Sequence, residues 1–230
     1  MIEEDYEAWD AYPQHRWLFN KLELSSRLGY DCGPACVPIK ETGYYIVRPI
    51  YNLYGMGIGA RKKFFNVNLH GEAMIHHKYI PPGHFWCEWL DGTHYSVDYI
   101  KNGNEWEPFC CMKGTHFSTD NLTKFKEWEV TDFPFSVDFL PEWIHDIETE
   151  KYLNIETKDV NILEIHLRSG NDVAWSYNVG TKIIPVWKGE DYKEYEHLPF
   201  LPNFHPESFK YEADGNLSDI RVGYYVDEKI

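Results

Sequence analysis

A strand, a glycine-rich loop and a second strand follow one another in residues 44–64, and this order constrains the fold most. The loop has glycine at alternate positions, Gly55, Gly57 and Gly59, and the first strand carries one cation, Arg48. Because glycine has no Cβ, the loop backbone can adopt positive φ and point several N–H groups at one anion beside that fixed charge. The segment therefore indicates a triphosphate-binding loop. A β-hairpin with a plain glycine-rich turn fits the same residues.

Composition restricts the partners that the chain can bind. Of its 230 residues, 43% are hydrophobic and 26% are charged, which suits one full core or two small lobes around a cleft. The formal net charge of −15 argues against a nucleic-acid partner, because phosphate backbones are bound by clustered Lys and Arg. A phosphate ligand must therefore meet a local pocket of positive charge.

The chain has no sequence signal for export or for a membrane. Its N-terminus is acidic, and no stretch approaches the roughly 20 continuous apolar residues that span a bilayer. Five cysteines, an odd number, suit a reducing compartment better than a disulfide framework. We therefore expect a cytoplasmic protein without a membrane partner.

Apolar spacing predicts three helices. Residues 17–28 have helical spacing, with Lys21 near the middle and Gly29 at the C-terminal end. Two further helices are predicted over residues 120–128 and 137–147.

A tight hairpin is predicted in residues 84–99, where two β-rich runs flank Asp91 and Gly92. Glu88 and His94 lie on either side of this turn. Both side chains would then face one pocket across the hairpin, although a position on the solvent face is an equal alternative.

A second hairpin is predicted in residues 151–168, and its outer strand alternates polar and apolar residues. Glu164, His166 and Arg168 are spaced by two, so they share one face, while the intervening apolar residues face the core. One interpretation is a solvated face with a salt bridge. The other is a Mg²⁺ site beside a triphosphate, since such a metal bridges phosphate oxygens.

Four separated motifs, taken in chain order, resemble those of the ATP-grasp superfamily. Residues 19–22 are similar to its Asp-Lys helix, and residues 45–49 to the Val-Ile-Val-Lys-Pro strand that precedes its grasp loop. Residues 86–98 resemble its adenine-side hinge, and residues 162–168 resemble its Leu-Glu-Ile-Asn-x-Arg strand, which holds magnesium. The resemblance extends over about two thirds of the chain.

The resemblance implies an α+β fold in which two lobes with antiparallel sheets enclose a nucleotide cleft. Residues 1–100 would form the N-terminal part, with the lysine helix, the grasp loop and the hinge. Residues 101–230 would form the C-terminal metal-site lobe and tail, the two parts making one ATP-grasp unit. We expect the cofactors ATP and Mg²⁺.

The same resemblance implies roles for individual residues. The implied nucleotide-binding residues are Lys21, Arg48, Gly55, Gly57, Gly59, Glu88, Leu90 and His94. The implied metal ligands are Glu164, His166 and Asn154, with Glu156 as the alternative to Asn154. Lys21 and Arg168 are the catalytic candidates, Arg168 as the cation that stabilises charge on the transferred phosphoryl group.

Several positions depart from the family pattern, among them Cys87 in place of the first hinge glutamate and Asn20 in place of the aspartate. Arg48 stands in place of lysine, His94 in place of the ribose-binding glutamate, and His166 in place of the metal-binding asparagine. Arginine keeps the charge and can bind phosphate in a bidentate manner. Imidazole can bind a hydroxyl or a metal, although Mg²⁺ prefers oxygen.

The implied function is an ATP- and Mg²⁺-dependent ligase that joins a carboxylate, through its acyl phosphate, to an amine or a thiol. Its substrates would be small molecules or peptides. Because few residues precede the lysine helix, the acceptor would bind to the lobes, to the tail or to a protein partner. The alternatives are an inactive nucleotide-binding module and a bacteriophage structural or host-interaction protein, which would act in the host cytoplasm.

Overall fold

The strands of this protein form two separate sheets. The computed structural model describes residues 2, 4–53, 59–67, 80–118, 121–149, 151–202 and 221–228. The strands within these ranges are β1 (Cys32–Pro34), β2 (Gly43–Pro49), β3 (Arg61–Phe65), β4 (His84–Glu88), β5 (His94–Asn102), β6 (Glu105–Ser118), β7 (Asn121–Val130), β8 (Tyr152–Lys158), β9 (Asn161–His166), β10 (Lys182–Trp187), β11 (Phe200–Pro202) and β12 (Arg221–Asp227). The smaller sheet has the order β1-β4-β2-β3, and the larger has the order β11-β12-β10-β7-β6-β5-β8-β9. The paired strands in both sheets are antiparallel.

Helices are short in the described part of the chain. The α-helices are α1 (Asp5–Ala11) and α2 (Lys21–Arg27). The 3₁₀ helices are Pro13–Phe19, Val137–Phe139, Glu142–Asp146, Asp172–Ala174 and Lys193–Tyr195. Among the described residues, no helix combines the length and the apolar character that a membrane crossing requires.

The two faces of the larger sheet differ because side chains alternate along each strand. In β5, every second residue packs into the main hydrophobic core beneath the sheet, namely Tyr95, Val97 and Tyr99. The alternate residues His94, Ser96 and Asp98 are buried on the opposite face. That polar face is turned towards the smaller sheet.

The predicted hairpin around Gly92 is wrong. β4 pairs with β1 and β2 in the smaller sheet, whereas β5 pairs with β6 and β8 in the larger one. Gly92 does turn the chain, with a φ of 126°, but the backbone N–H of Thr93 then donates to Oδ1 of Asp159 in the β8–β9 turn, 3.0 Å away. A turn motif marks where the chain changes direction, while the available strand edges decide the partner.

The two helices predicted in the C-terminal half are also wrong. Residues 121–130 form strand β7, in which the buried Trp128 and Val130 alternate with half-buried glutamates. Residues 137–147 contain two short 3₁₀ helices rather than one α-helix. Pairing of β7 with β6 and β10 satisfies its backbone groups and buries its apolar side, so tertiary packing decides the conformation of an ambiguous short segment.

The predicted lysine helix exists but is divided. Asn20 is extended and separates the 3₁₀ helix Pro13–Phe19 from α2, and its side chain accepts a hydrogen bond from the backbone N–H of Glu23 at 3.1 Å. Asparagine is a favoured N-cap because it satisfies a free N–H group of the first turn. Lys21 is therefore the first residue of α2 instead of a central one. Gly29 follows the helix with a φ of 83°, as predicted for its end.

Asp98 fixes a loop to the polar face of the larger sheet. Its carboxylate is fully buried and accepts hydrogen bonds from the backbone N–H groups of Gly170 (2.8 Å) and Asn171 (3.0 Å), from Nε1 of Trp175 (2.7 Å) and from Nδ2 of Asn154 (2.8 Å). Burial raises the pKa of Asp98, and these donors oppose that shift. The loop after β9 is thereby held across β5 and β8.

Asp98→Ala is expected to lower the free energy of unfolding by about 3 kcal/mol or more, because four donors, each buried or partly buried, lose one acceptor. Urea denaturation measures the loss. Asp191→Ala is the control, since this exposed carboxylate pairs with exposed Lys193, and its removal should cost less than about 0.5 kcal/mol. Equal losses in the two variants would show that the buried network contributes no special stability.

Candidate functional site

A cavity of about 1010 Å³ lies between the two sheets. It brings together most of the sequence-predicted site residues, although they come from distant segments. Those that line it are Lys21, Arg48, Glu88, Leu90, His94, Asn154, Glu164, His166 and Arg168. Gly59, with a φ of 79°, lies shortly before β3. Gly55 and Gly57 lie outside the described residues.

The second predicted hairpin is present as β8 and β9. Glu156 lies opposite Glu164 in the antiparallel pair, and Asn154 lies opposite His166. Ile165 is buried in the core, as expected from the alternation. These four polar residues therefore share the sheet face that lines the cavity.

Two cations converge on one oxygen of Glu164. Nζ of Lys21 forms an ion pair with Oε1 of Glu164, and Nη1 of Arg48 lies 3.2 Å from the same oxygen. Both cationic side chains are less than one tenth exposed. Nη2 of Arg48 also donates to the carbonyl oxygen of Leu163 (3.3 Å) and to Oγ of Ser25 (3.4 Å). Among the described residues, its buried Nε has no hydrogen-bond partner.

Glu156 lies between two histidines. Its Oε2 is 3.2 Å from Nε2 of His94, and its Oε1 is 3.8 Å from Nε2 of His166. Burial alone would raise the pKa of Glu156, but the hydrogen bond from His94 and the charges of His166 and Lys21 lower it to about 2. The carboxylate is therefore ionised at neutral pH.

Asn154 is more deeply engaged in the protein than Glu156. It is almost fully buried, and its Nδ2 donates to Oγ of Ser96 (3.0 Å) as well as to Asp98. A Cβ on Gly170 would lie only 2.7 Å from the Asn154 amide, so the absence of a side chain there allows the loop to approach. Of the two alternatives considered on β8, Glu156 is the one whose oxygen faces His166.

The hinge side of the cavity holds Glu88, Leu90 and His94. Oε1 of Glu88 accepts a hydrogen bond from the backbone N–H of Asp31 at 2.8 Å. The ring of His94 packs edge-on against Phe125, with the ring centroids 5.0 Å apart. This end of the cavity therefore combines an aromatic contact with polar groups.

The sequence matches no protein-family model and no curated protein. Its structure, however, resembles solved structures of longer chains. N5-carboxyaminoimidazole synthase from Aspergillus clavatus, in complex with ADP and 5-aminoimidazole ribonucleotide, superposes with a TM-score of 0.59 at 9% identity, over 98% of this chain and 74% of that chain. L-amino acid ligase from Bacillus licheniformis gives 0.55 at 9% identity, over 92% and 67%. N5-carboxyaminoimidazole synthetase from Staphylococcus aureus, complexed with ADP, gives 0.53 at 12% identity, over 92% and 68%. These are ATP-grasp proteins.

The chain has the ATP-grasp fold. The predicted α+β class with two antiparallel sheets around a cleft is confirmed. The ATP-grasp resemblance found in the sequence motifs is confirmed as well. At identities of 9 to 12%, the likeness establishes the fold, and the chemistry must be argued from the site.

Asp5 is a site residue that the sequence motifs do not reveal. It opens α1 and is 2% exposed. Its Oδ2 lies 2.9 Å from Nδ1 of His166, and its Oδ1 accepts from Nε of Arg168 at 2.8 Å. Burial alone would raise the pKa of Asp5, but Arg168, His166 and Lys21 hold it well below its ordinary value. Nothing local distinguishes this carboxylate from the other acidic residues near the N-terminus of the chain.

Glu156 on β8, with Glu164 and His166 on β9, offers oxygen and nitrogen atoms of the kinds that bind divalent cations. Oε1 of Glu156 and Oε2 of Glu164 each lie 3.8 Å from Nε2 of His166. Ligands about 2.1 Å from one ion are separated by about 3 Å when adjacent and about 4.2 Å when opposite. The donor types suit a divalent cation, whereas the two separations of 3.8 Å correspond to neither spacing. Within the described ranges no group of three His, Cys, Asp or Glu is placed so that it could hold a metal ion, and Lys21 and Arg48 hold one oxygen of Glu164.

Glu164→Ala is expected to lower the free energy of unfolding by about 3 to 5 kcal/mol, because it leaves Lys21 and Arg48 close together and buried without their shared acid. Chemical denaturation of the ligand-free protein measures the effect. Glu23→Ala is the matched control, because its i,i+4 pair with Arg27 is exposed and should contribute less than about 0.5 kcal/mol. A loss no greater than that of the control would contradict the ion-pair assignment.

Proposed function

We propose that this protein is an ATP-dependent ligase that activates a carboxylate as its acyl phosphate and transfers the acyl group to an amine or a thiol. The observation that carries the proposal is the meeting of Lys21, Arg48 and Glu164 at one wall of a cavity of about 1010 Å³ between the two sheets. Solved structures with the same fold include an amino acid ligase and a synthetase crystallised with ADP, which supports the reaction class.

The polyphosphate of ATP would replace the ion pairs on Glu164. Lys21 and Arg48 are nearly buried at the cavity wall. Each could therefore exchange its contact with the Glu164 carboxylate for a contact with a phosphate oxygen without leaving the cavity. The buried Nε of Arg48 has no hydrogen-bond partner among the described residues and is a ready donor. This exchange would release Glu164 for a metal.

The nucleoside would lie at the hinge end of the cavity. Leu90 and Glu88 line that wall, and the imidazole of His94 can bind a ribose hydroxyl as donor or acceptor. The loop that contains Gly55, Gly57 and Gly59 would cover the phosphates with its backbone N–H groups.

Glu156, Glu164 and His166 are the side chains that would hold the divalent cation, for which Mg²⁺ is the proposed cofactor. Such a cation would neutralise the charge that develops on the transferred phosphoryl group. Asn154 would support this site through its hydrogen bonds to Ser96 and Asp98 rather than by direct contact.

The reaction consists of two displacements at this wall. A substrate carboxylate oxygen attacks the γ-phosphorus, the bond to the β-γ bridging oxygen breaks, and ADP leaves. The amine or thiol then attacks the acyl carbon, loses its proton, and expels inorganic phosphate. Lys21 would stabilise the charge on the phosphoryl group, and Arg168 would stabilise the charge on the acyl phosphate and on the tetrahedral intermediate.

One observation favours a second candidate, a module that binds nucleotide without turnover. Asp5 already occupies Nε of Arg168, which is the group proposed to meet the acyl phosphate. In a ligase, the guanidinium would act through its remaining N–H groups, of which Nη1 donates to the carbonyl oxygen of Ser169 at 2.8 Å. Turnover therefore separates the two candidates.

ATP with Mg²⁺ is expected to raise the melting temperature by about 5 to 10 °C at 100 times the Kd, which corresponds to about 2.7 kcal/mol. Lys21→Met and Arg48→Met should remove most of the shift, because each deletes a phosphate-binding cation. Lys193→Met, which removes an exposed lysine, should keep it. A shift that persists unchanged in both cation variants would place the nucleotide elsewhere.

Release of ADP is expected only when a carboxylic acid and an amine or thiol acceptor are both supplied, because hydrolysis without an acceptor is not the proposed reaction. A library of amino acids and short peptides assayed by coupled ADP detection tests this. Arg168→Lys should lower kcat at least 10-fold, with a smaller change in the Kd for ATP. Nucleotide binding without turnover on any substrate pair would favour the binding module.

A further inference from the structure

The cavity between the sheets extends beyond the residues assigned to ATP. Ligand pockets in proteins have volumes of roughly 300 to 1,000 Å³, and this cavity, at about 1010 Å³, lies at the upper end of that range. Part of its wall comes from the segment 169–177 and from β10, β11 and β12, which the proposed nucleotide site does not use. This part, the C-terminal chamber, is defined by Val173, Tyr177, Pro185, Leu201 and Tyr224.

The C-terminal chamber is lined by apolar side chains that are only partly buried. Val173, Tyr177 and Tyr224 pack against the buried cluster that includes Met112 and Ile183. Each of the three also lines the cavity. Burial of such apolar surface against an apolar ligand is favourable, because it removes that surface from water. The chamber therefore suits an uncharged, apolar group.

The segment that forms one wall of the chamber is held in place by the protein itself. The backbone N–H groups of Gly170 and Asn171 donate to the carboxylate of Asp98, at 2.8 Å and 3.0 Å. Ala174, which is 1% exposed, belongs to the same buried cluster as Ile183. A ligand that enters the chamber thus meets a preformed wall, and little conformational entropy is lost on binding.

The two guanidinium groups beside the chamber have carboxylate neighbours. Cζ of Arg221 lies 4.6 Å from the ring centroid of Tyr224. Burial raises the pKa of Glu4, whereas the charges of Arg168 and Arg221 lower it, so both cations lie near this carboxylate. Nε of Arg168 also donates to Asp5 at 2.8 Å. The body of a ligand in the chamber therefore needs no charge of its own to offset them.

Arg168 lies between the proposed ATP site and the chamber. It follows β9, which carries Glu164, and it precedes the segment whose Val173 and Tyr177 line the chamber. A guanidinium binds carboxylate oxygens and repels an ammonium group. A substrate carboxylate would therefore lie at Arg168, towards the γ-phosphate, and the rest of the acid would extend into the chamber.

We propose that the carboxylate substrate of this protein has an uncharged, apolar body, an alkyl or aryl chain, which binds in the C-terminal chamber. The inference rests on the proposed ligase function and names the class of acid that the ligase activates. Leu201 and Tyr224, which lie opposite each other on β11 and β12, are specificity-determining contacts for this body.

The test uses the whole chain saturated with a non-hydrolysable ATP analogue and Mg²⁺. Isothermal titration calorimetry measures the Kd of butanoate, hexanoate and octanoate. Each added CH₂ group that enters the chamber should lower the Kd about 4-fold, which is about 15-fold between successive acids. Butylamine, hexylamine and octylamine are the matched controls and should show no such trend, because Arg168 repels their ammonium group. An equally steep trend in the amines would overturn the assignment of the chamber to the acid.

Ser176→Trp fills the chamber without removing a core side chain, because Ser176 is exposed and lines the cavity. It should raise the Kd of octanoate about 10-fold or more and leave the Kd of the ATP analogue within about 2-fold. Asn178→Trp is the control, since Asn178 is exposed and does not line the cavity, and it should change neither value. If Ser176→Trp does not fold, Leu201→Ser, which shortens a half-buried chamber residue, should raise the octanoate Kd about 5-fold.

Two failures are distinguishable. If the ATP analogue binds but the Kd of the acids does not depend on chain length, or octanoate binds Ser176→Trp as tightly as the wild type, the inference is wrong while the proposed nucleotide site stands. If the wild type does not bind the analogue, the proposed function fails together with the inference.

Discussion

The charge cluster at Glu164 is the interaction on which the architecture of the cleft depends. Lys21 comes from α2, Arg48 from β2 of the smaller sheet, and Glu164 from β9 of the larger sheet. One acid therefore connects three elements that share no backbone ladder. The desolvation of two cations in this position is offset only because the carboxylate lies between them, and an anionic ligand would have to provide an equivalent charge.

The sequence predicted the fold through motifs whose physical basis is local. The alternation of Glu164 and His166 with Ile165 determines a sheet face, and the antiparallel partner strand follows from the short turn after β8. Arg48 lies on β2, as predicted, and is itself buried next to Val47. These features predict the fold and place most of the predicted site residues on the cavity wall.

Other features depend on contacts that no local pattern contains. The predicted hairpin around Gly92 was wrong. The chain does turn at this residue, but the two flanking strands pair with other strands. Residues 121–130 were assigned to a helix because their periodicity is ambiguous, and pairing with β6 decides it. Asp5 reaches His166 across 161 positions of the sequence. Such a residue can be recognised only once the fold shows that these two distant segments lie in contact.

The connection between the sheets has a mechanical consequence. The Thr93 N–H is bound to Asp159, and the Asp159 N–H is bound to the carbonyl oxygen of Thr93 at 2.9 Å, so the chain is clamped to the larger lobe at this residue. A Cβ on Gly92 would lie 2.5 Å from Oδ2 of the same aspartate, which admits only glycine beside the clamp. This connection between the sheets can therefore bend only upstream of Thr93, because the β8–β9 turn that carries Asp159 holds its downstream end in place.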